Sequence, residues 1–253
     1  GKIALAIFAL KERINKDLKN IHALDLYEKI ELPLSHVLAK MEIEGFPLDA
    51  ECLDKLGDQF KSKIKKLEEE IYSLANTKFN IASPKQLAEV LFIQLGLPDR
   101  KSGSTGQEVL KDLLHYHPII EKVIEYRKYA KLNSTYGEGF KPHIYPDGKI
   151  HALFNQAQTT TGRLSSSSPN LQNISVRDEE GKQIRKAFIP SEDSIFLGGD
   201  YSQIELRILA HISDSSELIN AFQNAEDIHT FVASDIFGVE KDGSFNSSIN
   251  AIY

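Results

Sequence analysis

The amino-acid sequence predicts an α+β protein in which a mostly helical part precedes a part built on antiparallel β-sheet. Apolar residues recur at helical spacing through most of the first 136 residues. Near Lys141 the pattern changes to alternating segments on either side of a Pro-Asp-Gly turn at 146–148. The chain of 253 residues is long enough for more than one domain.

The first predicted helices follow one another closely. Residues 3–20 have the spacing of one helix, and residues 25–45 have that of a second helix ending at Gly45. Asp49 is a candidate N-cap for a third helix. The apolar residues of this third helix lie three or four apart and form a seam: Leu53, Leu56, Phe60, Ile64, Leu67, Ile71 and Leu74. The seam favours an antiparallel helix pair within one domain, and a separate coiled-coil partner is the alternative.

Further helices are predicted up to residue 136. Ser83 is a natural N-cap with Pro84 at the first helical position. A flexible polar loop is predicted at 99–107, and then a helix that breaks near Pro118 and resumes.

The second part of the chain is predicted to contain strands. Residues 143–158 have the pattern of a β-hairpin, and a polar loop follows at 159–173. Residues 186–200 are predicted to return to strand, with a buried apolar core at 195–197. Apolar residues four apart between 204 and 212 then predict a helix.

Asp200 lies where this strand is predicted to become a helix. Ser202 and Glu205 have the spacing of a capping box, which leaves Asp200 available for another task. A structural role and metal binding both remain open from the pattern, and a hard cation such as Mg²⁺ would need at least one further carboxylate.

Three other groups of polar residues are candidates for binding. The loop at 159–173 is rich in Thr, Ser and Asn, which donate to phosphate oxygens, and Arg163 could donate to minor-groove acceptors. Arg127 and Lys131 lie one helical turn apart, with Ser134 and Thr135 after them. The alternatives are a solvated loop and a solvated helix face. His229, one turn into a predicted helix, is by pattern alone a structural histidine.

The composition is that of an ordinary soluble protein, with 41% hydrophobic and 26% charged residues. No run of 18 apolar residues indicates a membrane span, and a single cysteine fits a reducing cytoplasm. The formal net charge of −6, taken alone, argues against nucleic-acid binding. Residues 76–149, however, contain 11 Lys and Arg against 8 Asp and Glu, so this stretch is locally basic.

Several of these segments together resemble family A DNA polymerases. The resemblance rests above all on "TGRLSSSSPNLQN" at 161–173, "DYSQIELRILAH" at 200–211 and "EDIHT" at 226–230. Upstream segments are similar too, so that it extends from residue 1 to about 240. The family implies the last helix of an exonuclease-like domain at 1–24, a thumb with the palm entry at 25–140, a partial palm at 141–212 and the start of the fingers at 213–253.

The resemblance also implies roles for individual residues. Asp200, with the backbone carbonyl of Tyr201, would hold the Mg²⁺ ions of nucleotidyl transfer. Gln203 and His229 would lie near the incoming deoxynucleoside triphosphate, and Glu205 would exclude a ribose 2′-hydroxyl. Contacts to the primer–template DNA duplex would come from nine residues: Ser83, Arg127, Lys131, Ser134, Thr135, Arg163, Asn170, Gln172 and Asn173.

The sequence departs from the family after about residue 238. Neither the triphosphate-binding fingers helix nor the segment with the second catalytic aspartate is recognisable, and both ends of the chain interrupt apolar patterns, so we expect a fragment. The expected activity of the parent enzyme is template-directed DNA synthesis by a cytoplasmic monomer, and we expect the chain alone not to polymerise. The rival hypotheses are a non-catalytic duplex-binding module and a helical interaction protein built on the 53–74 seam.

Overall fold

The computed structural model describes residues 2–99, 101–176, 178–224, 227–228 and 230. The chain divides into two compact units, Gly1–Ile195 and Phe196–Tyr253. Helices dominate the described residues and small antiparallel sheets accompany them, which confirms the predicted α+β class.

The first unit contains eight described α-helices, several of which run on directly into π-helical turns. The α-helices are α1 (Lys2–Asn20), α2 (Leu24–Leu26), α3 (Leu32–Glu44), α4 (Ala50–Ala75), α5 (Pro84–Ala88), α6 (Gln107–Asp112), α7 (Ile119–Leu132) and α8 (Glu179–Lys186). The π-helical turns are Tyr27–Glu31, Glu89–Gln94 and Asn133–Gly137, and a 3₁₀ turn spans Lys141–His143.

The long helix α4 packs antiparallel to α7, which confirms the predicted helix pair. Asp49 caps α4 by accepting a hydrogen bond from the backbone N–H of Cys52 at 2.9 Å. Two ion pairs between the helices show this orientation. Lys63 pairs with Glu125, and Glu70, further along α4, pairs with Lys122, which comes earlier in α7. The seam residues of α4 are largely buried between these helices and their neighbours.

Two apolar cores lie within the first unit. One joins the C-terminal half of α4 to α5, α6 and α7, and it includes Ile71, Leu110 and Ile120, all fully buried. The other joins the N-terminal half of α4 to the strands and α8, and Phe140 is fully buried in it. By contrast, α1 contains no buried residue, and Ile3 on it is 79% exposed.

The strands pair differently from the predicted hairpin. The four strands are β1 (Phe46–Pro47), β2 (Lys149–Ile150), β3 (Leu153–Asn155) and β4 (Ser165–Ser167). The Pro-Asp-Gly turn forms, because the Tyr145 N–H donates to the Lys149 carbonyl at 2.9 Å, but only one bridge continues it. The main pairings are β1 with β2 and β3 with β4.

The polar loop predicted at 159–173 is therefore wrong in part, since β4 lies inside it. Three consecutive serines pair with β3, and Ser166 is buried. The polar composition of this segment predicted a loop. A strand can form there because backbone pairing needs no apolar side chain where the neighbouring strand supplies the hydrogen bonds.

The strand predicted at 186–200 is wrong beyond Phe188. Phe188 makes a single bridge to Leu48, and residues 189–200 have no strand conformation. Ile195 and Leu197 are 85% and 94% exposed rather than buried. An apolar run becomes a strand only where another strand accepts its backbone hydrogen bonds, and none of the described strands pairs with this one.

The sequence did not predict the helix α8. Asp178 is its N-cap and accepts from the Gly181 N–H at 2.6 Å. Its first turn is acidic and its last turn is basic, the arrangement that the helix dipole favours. This order of charges could have predicted the helix, but the single glycine inside it has a low helix propensity and argued against one.

The second unit contains α9 (Ile204–Ser213) and α10 (Ser216–Gln223). Ser215 caps α10 by accepting from the Leu218 N–H at 3.3 Å. In the part of the chain that the structure describes, no helix combines the length and the apolar character needed to cross a membrane.

Candidate nucleic-acid interface

A groove of about 480 Å³ lies in the first unit. One wall is α7 with the turn Asn133–Gly137, and the other is the segment that leads into α8. Four residues predicted to contact nucleic acid line this groove: Arg127, Lys131, Thr135 and Asn173. Folding therefore brings two separate motifs of the sequence to one surface.

Arg127 is half-buried and is already engaged within the protein. Its guanidinium donates to the backbone carbonyl of Thr105 and, at 3.0 Å, to the Thr105 hydroxyl. Burial lowers the pKa of Arg127, but an arginine remains charged at neutral pH. Arg127 thus ties the end of the polar loop to α7 while its positive charge lines the groove.

Lys131, Ser134 and Thr135 are exposed where α7 passes into its π-helical turn. The Ser134 hydroxyl donates to the Lys131 carbonyl at 3.1 Å. The extra residue of a π-helical turn changes the direction in which the following side chains point. Lys131 and Thr135, four residues apart, both line the groove, and Tyr136 beside them is buried.

The opposite wall is fixed by hydrogen bonds to its backbone. The Tyr136 hydroxyl donates to the Asn173 carbonyl at 2.9 Å, and Arg185 donates to the Ile174 carbonyl at 3.1 Å. Asp178 follows as the cap of α8, and its bonds with Ser175 and the Gly181 N–H lower the pKa of its carboxyl. The Asn173 side chain is exposed on this wall.

Four polar or charged residues of the groove were not predicted from the sequence: Gln107, Lys128, Ser175 and Asp178. Lys128 follows Arg127 directly. Neighbouring residues on a helix point about 100° apart, so helical spacing did not predict that both would line one groove. Ser175 lies in an irregular segment that has no periodicity to analyse.

Glu180 connects the two walls beside the groove. Its carboxylate accepts from the Lys128 ammonium at 2.7 Å and from the Tyr129 hydroxyl at 2.7 Å. Burial and the neighbouring Glu180 raise the pKa of Tyr129 to about 12. Burial opposes ionisation of Glu180, but the bonds from Lys128 and Tyr129 outweigh it, so the pKa of this carboxyl is lowered.

Arg163, Asn170 and Gln172 lie on the exposed loop that surrounds β4. The buried Ser166 hydroxyl donates to Asn170 Oδ1 at 3.2 Å, and the same oxygen accepts from the Gln172 N–H at 3.0 Å. The Thr159 hydroxyl donates to the Arg163 carbonyl at 2.6 Å. Internal hydrogen bonds therefore hold this loop, although its three predicted contact residues do not line the groove.

Ser83 is the N-cap of α5, as predicted. Its hydroxyl accepts from the Gln86 N–H at 3.5 Å, and Pro84 occupies the first turn. It is half-buried and is not a lining residue of the groove.

Asp200 belongs to the second unit and lies in an exposed, irregular segment. Asp200 is exposed because the strand predicted to end at it does not form. Tyr201 is 79% exposed.

The capping box predicted at Ser202 and Glu205 is wrong. Gln203 precedes the first residue of α9 in the left-handed conformation, with φ 54°, and no side chain caps the helix there. The left-handed residue changes the chain direction between Ser202 and Glu205, so the two cannot take the positions of the motif. Ser202 instead offers its carbonyl to Arg207 Nε at 2.9 Å, and Glu205 is exposed in the first turn.

The donors for a metal site are incomplete among the described residues. Asp200 and the Tyr201 carbonyl are oxygen donors of the kind that Mg²⁺ prefers. Yet no group of three or more His, Cys, Asp or Glu side chains that could hold a metal ion occurs in the described ranges. His229, predicted to lie near a triphosphate, falls outside the described residues.

Comparison with known proteins gives a consistent result. The sequence profile described as DNA polymerase family A matches residues 50–247. DNA polymerase I of Bacillus subtilis (strain 168) is 48% identical over 248 residues, which are 96% of this chain and 28% of that protein. DNA polymerase I of Geobacillus stearothermophilus is 46% identical over 245 residues, 94% of this chain and 28% of that protein. The chain thus spans about 28% of the length of these curated relatives.

A solved structure is similar along nearly the whole chain. It is described as the POL domain of Pol1 from M. smegmatis in complex with DNA primer-template and dNTP. The TM-score is 0.87 at 39% sequence identity, with 95% of this chain and 43% of that chain covered.

Proposed function

Since this chain belongs to DNA polymerase family A, we propose that it is the duplex-holding part of an enzyme that extends a DNA primer along a template. The observation that carries the proposal is the groove in which Arg127, Lys131 and Thr135 face Asn173. The similar POL domain has DNA primer-template and dNTP bound, and we extend these partners to this protein.

The groove is suited to a nucleic-acid backbone. Arg127, Lys128 and Lys131 supply positive charge, and Thr135, Asn173 and Ser175 supply neutral hydrogen-bonding groups. The one carboxylate that lines the groove, Asp178, is engaged as the N-cap of α8. Phosphate contacts of this mixed kind position a duplex without reading its sequence. A polymerase must hold any sequence equally, so a groove of this chemistry fits the proposed task.

We assign the remaining predicted residues to the same enzyme. Arg163, Asn170 and Gln172 would contact the duplex from the exposed loop around β4, and Ser83 and Ser134 would contact it from the helical part. Asp200 and the Tyr201 carbonyl would be ligands of Mg²⁺, the proposed ion. Gln203, Glu205 and His229 would lie around the incoming nucleotide.

The proposed parts of the enzyme keep the boundaries expected from the sequence. Residues 25–140 would be the thumb with the palm entry, 141–212 a partial palm and 213–253 the start of the fingers, after an exonuclease-like helix at 1–24. We further propose that the protein acts as a monomer in the cytoplasm.

For the 253-residue chain by itself we propose duplex binding without synthesis. One carboxylate, Asp200, cannot complete the donors that two metal ions need, and the described residues contain no cluster that would do so. This second candidate function differs from the first only in what the chain can do alone.

The test begins with the binding of a labelled DNA duplex that has a recessed 3′ end, over a series of salt concentrations. We expect an affinity that falls steeply with salt because phosphate binding releases counterions. Lys131→Ala should weaken binding equally for all sequences and reduce the slope of log K against log salt by about 1. The matched control is Lys40→Ala, which removes an exposed lysine of α3 and should change neither quantity.

Primer extension with Mg²⁺ and all four deoxynucleotides is measured in parallel, with Asp200→Ala as the control. No extension together with salt-sensitive binding supports both proposals. Absence of duplex affinity would overturn the proposed function. Extension that Asp200→Ala abolishes would overturn the proposal that the chain alone does not synthesise DNA.

A further inference from the structure

We propose that Tyr136 is a positioning residue: its hydroxyl holds the backbone of Asn173 so that the Asn173 side chain faces Lys131 and Thr135 across the groove. The inference rests on the proposed function, because it concerns how the groove meets a duplex. Tyr136 itself lines the groove but is only 7% exposed, so it would act on the duplex through Asn173 rather than by a contact of its own.

The Tyr136 ring is held firmly in its place. The residue is 7% exposed, and its ring packs edge-to-face against Phe140 with 5.2 Å between the ring centroids. Phe140 is fully buried and packs in turn against Phe188 at 6.0 Å. A buried ring packed in this way directs its hydroxyl to one point, and at that point lies the Asn173 carbonyl, 2.9 Å away.

Asn173 needs such an anchor because no helix or strand contains it. Residues 168–176 and 178 lie between β4 and α8 without regular structure. Two hydrogen bonds fix consecutive carbonyls of this segment, from Tyr136 to Asn173 and from Arg185 to Ile174. An exposed side chain on irregular backbone can keep a constant position only if its backbone is held.

The π-helical turn after α7 gives one short segment two tasks. Thr135 is exposed and lines the groove, while the next residue, Tyr136, is buried and bonds to the opposite wall. The distance across the groove between Thr135 and Asn173 is therefore set by the hydrogen bond from Tyr136, the residue next to Thr135, to the Asn173 carbonyl. Burial raises the pKa of Tyr136, which keeps its hydroxyl protonated as a donor.

A purely structural role would predict something different. If the Tyr136 bond only stabilised the fold, removing it would reduce stability and would affect duplex binding independently of Asn173. If it positions Asn173, its effect on binding must disappear once the Asn173 side chain is gone. A double-mutant cycle separates the two because it measures the interaction of the residues rather than their separate effects.

The experiment measures the duplex dissociation constant of the 253-residue chain with Tyr136→Phe, Asn173→Ala and both substitutions. Tyr136→Phe keeps the packed ring and removes only the donor. We expect it to weaken binding about 3- to 10-fold in the unaltered chain and less than about 2-fold in the Asn173→Ala background. The slope of log K against log salt should stay unchanged, because no cation is removed.

Tyr129→Phe is the matched control. It removes the hydroxyl of a half-buried tyrosine that joins α7 to α8, but its partner is Glu180 and Tyr129 does not line the groove. We expect no coupling between Tyr129→Phe and Asn173→Ala. Unfolding by urea is followed for every variant, so that each dissociation constant refers to folded protein.

An equal loss of affinity from Tyr136→Phe in both backgrounds would overturn the inference, and so would equal coupling in the Tyr129→Phe control. Should Tyr136→Phe not fold, Arg185→Met removes the donor to the neighbouring Ile174 carbonyl and must show the same coupling to Asn173. If the unaltered chain binds no duplex, the proposed function fails. If it binds but shows no coupling, only the role of Tyr136 fails.

Discussion

At the scale of single residues, the three cations of the groove have different surroundings. Arg127 donates to Thr105, Lys128 pairs with Glu180, and Lys131 is exposed at the end of α7. Sequence spacing placed Arg127 and Lys131 together as equivalent contacts. In the structure the two residues are not equivalent. Arg127 donates to Thr105, and the buried polar groups of Thr105 depend on that donor.

Arg127 is therefore expected to matter for folding as well as for binding. Arg127→Met keeps most of the side-chain volume but leaves the hydroxyl and carbonyl of Thr105, a residue only 5% exposed, without their donor. We expect the free energy of unfolding to fall by about 1–3 kcal/mol, the usual range for stranded buried polar groups. Urea denaturation measures this loss.

The control for this prediction is Lys131→Met on the same helix. Lys131 is exposed, so its substitution should change the free energy of unfolding by less than about 0.5 kcal/mol. Equal stability of the two variants would show that Arg127 serves only as a surface contact.

At the scale of elements, the turn before β2 is attached to α3 through His151. One ring nitrogen lies 2.7 Å from the Glu42 carbonyl, and the other lies 3.0 Å from Asp147 Oδ2. Both partners are acceptors, so only the doubly protonated ring can donate to both. The Tyr145 ring, Lys149 and Glu44 complete the surroundings of His151.

The pH dependence of stability follows from this geometry. The carbonyl of Glu42 and then Asp147 raise the pKa of His151 above its ordinary value. The stabilisation is therefore fully present below about pH 6.5, the unfolded value, and it is lost as pH rises through the folded pKa. We expect the free energy of unfolding to fall as the pH rises above about 6.5 and this fall to be smaller in His151→Gln.

Urea denaturation at a series of pH values measures this dependence. The control is His115→Gln, which changes an exposed histidine in the turn after α6. The His115 variant should keep the slope of the unaltered chain. A His151 variant with an unchanged slope would contradict the role assigned to this turn.

At the scale of the whole molecule, stability is concentrated in the two cores around α4 rather than spread along the helices. Ile71 on α4 is fully buried, whereas Ile3 on α1 is 79% exposed, although both belong to helical apolar patterns. Ile71→Ala should lower the free energy of unfolding by about 2–5 kcal/mol because it leaves a cavity. Ile3→Ala should change it by less than about 0.5 kcal/mol. Similar losses in urea denaturation would show that the core does not lie where the structure has it.

The sequence predicted the elements of the helical half more completely than those of the sheet half. The helices α4 and α5 begin at their predicted caps, Asp49 and Ser83, because a cap and its helix are neighbours in sequence. The strands failed where pairing is non-local: β2 joins β1, about a hundred residues earlier, rather than extending the hairpin. The helix α8 was missed because its charge pattern is short and a glycine interrupts it.

The candidate site divides in the same way. The motifs that predicted family membership are local strings of residues, and the comparisons confirm that prediction. The groove, by contrast, depends on contacts between segments far apart in the chain, such as that of Tyr136 with Asn173. The periodicity of apolar residues along the chain does not predict a contact of this kind.

By itself, then, the sequence determined most helices of the first unit, the caps Asp49 and Ser83, the α+β class and the family, because these follow from neighbouring residues. Only the tertiary structure decided which polar residues share a groove, that Arg127 is anchored to Thr105, and that 195–197 is not a buried strand. The physical reason is that burial and hydrogen-bond partnership depend on what packs against a segment, and a local pattern does not contain its partner.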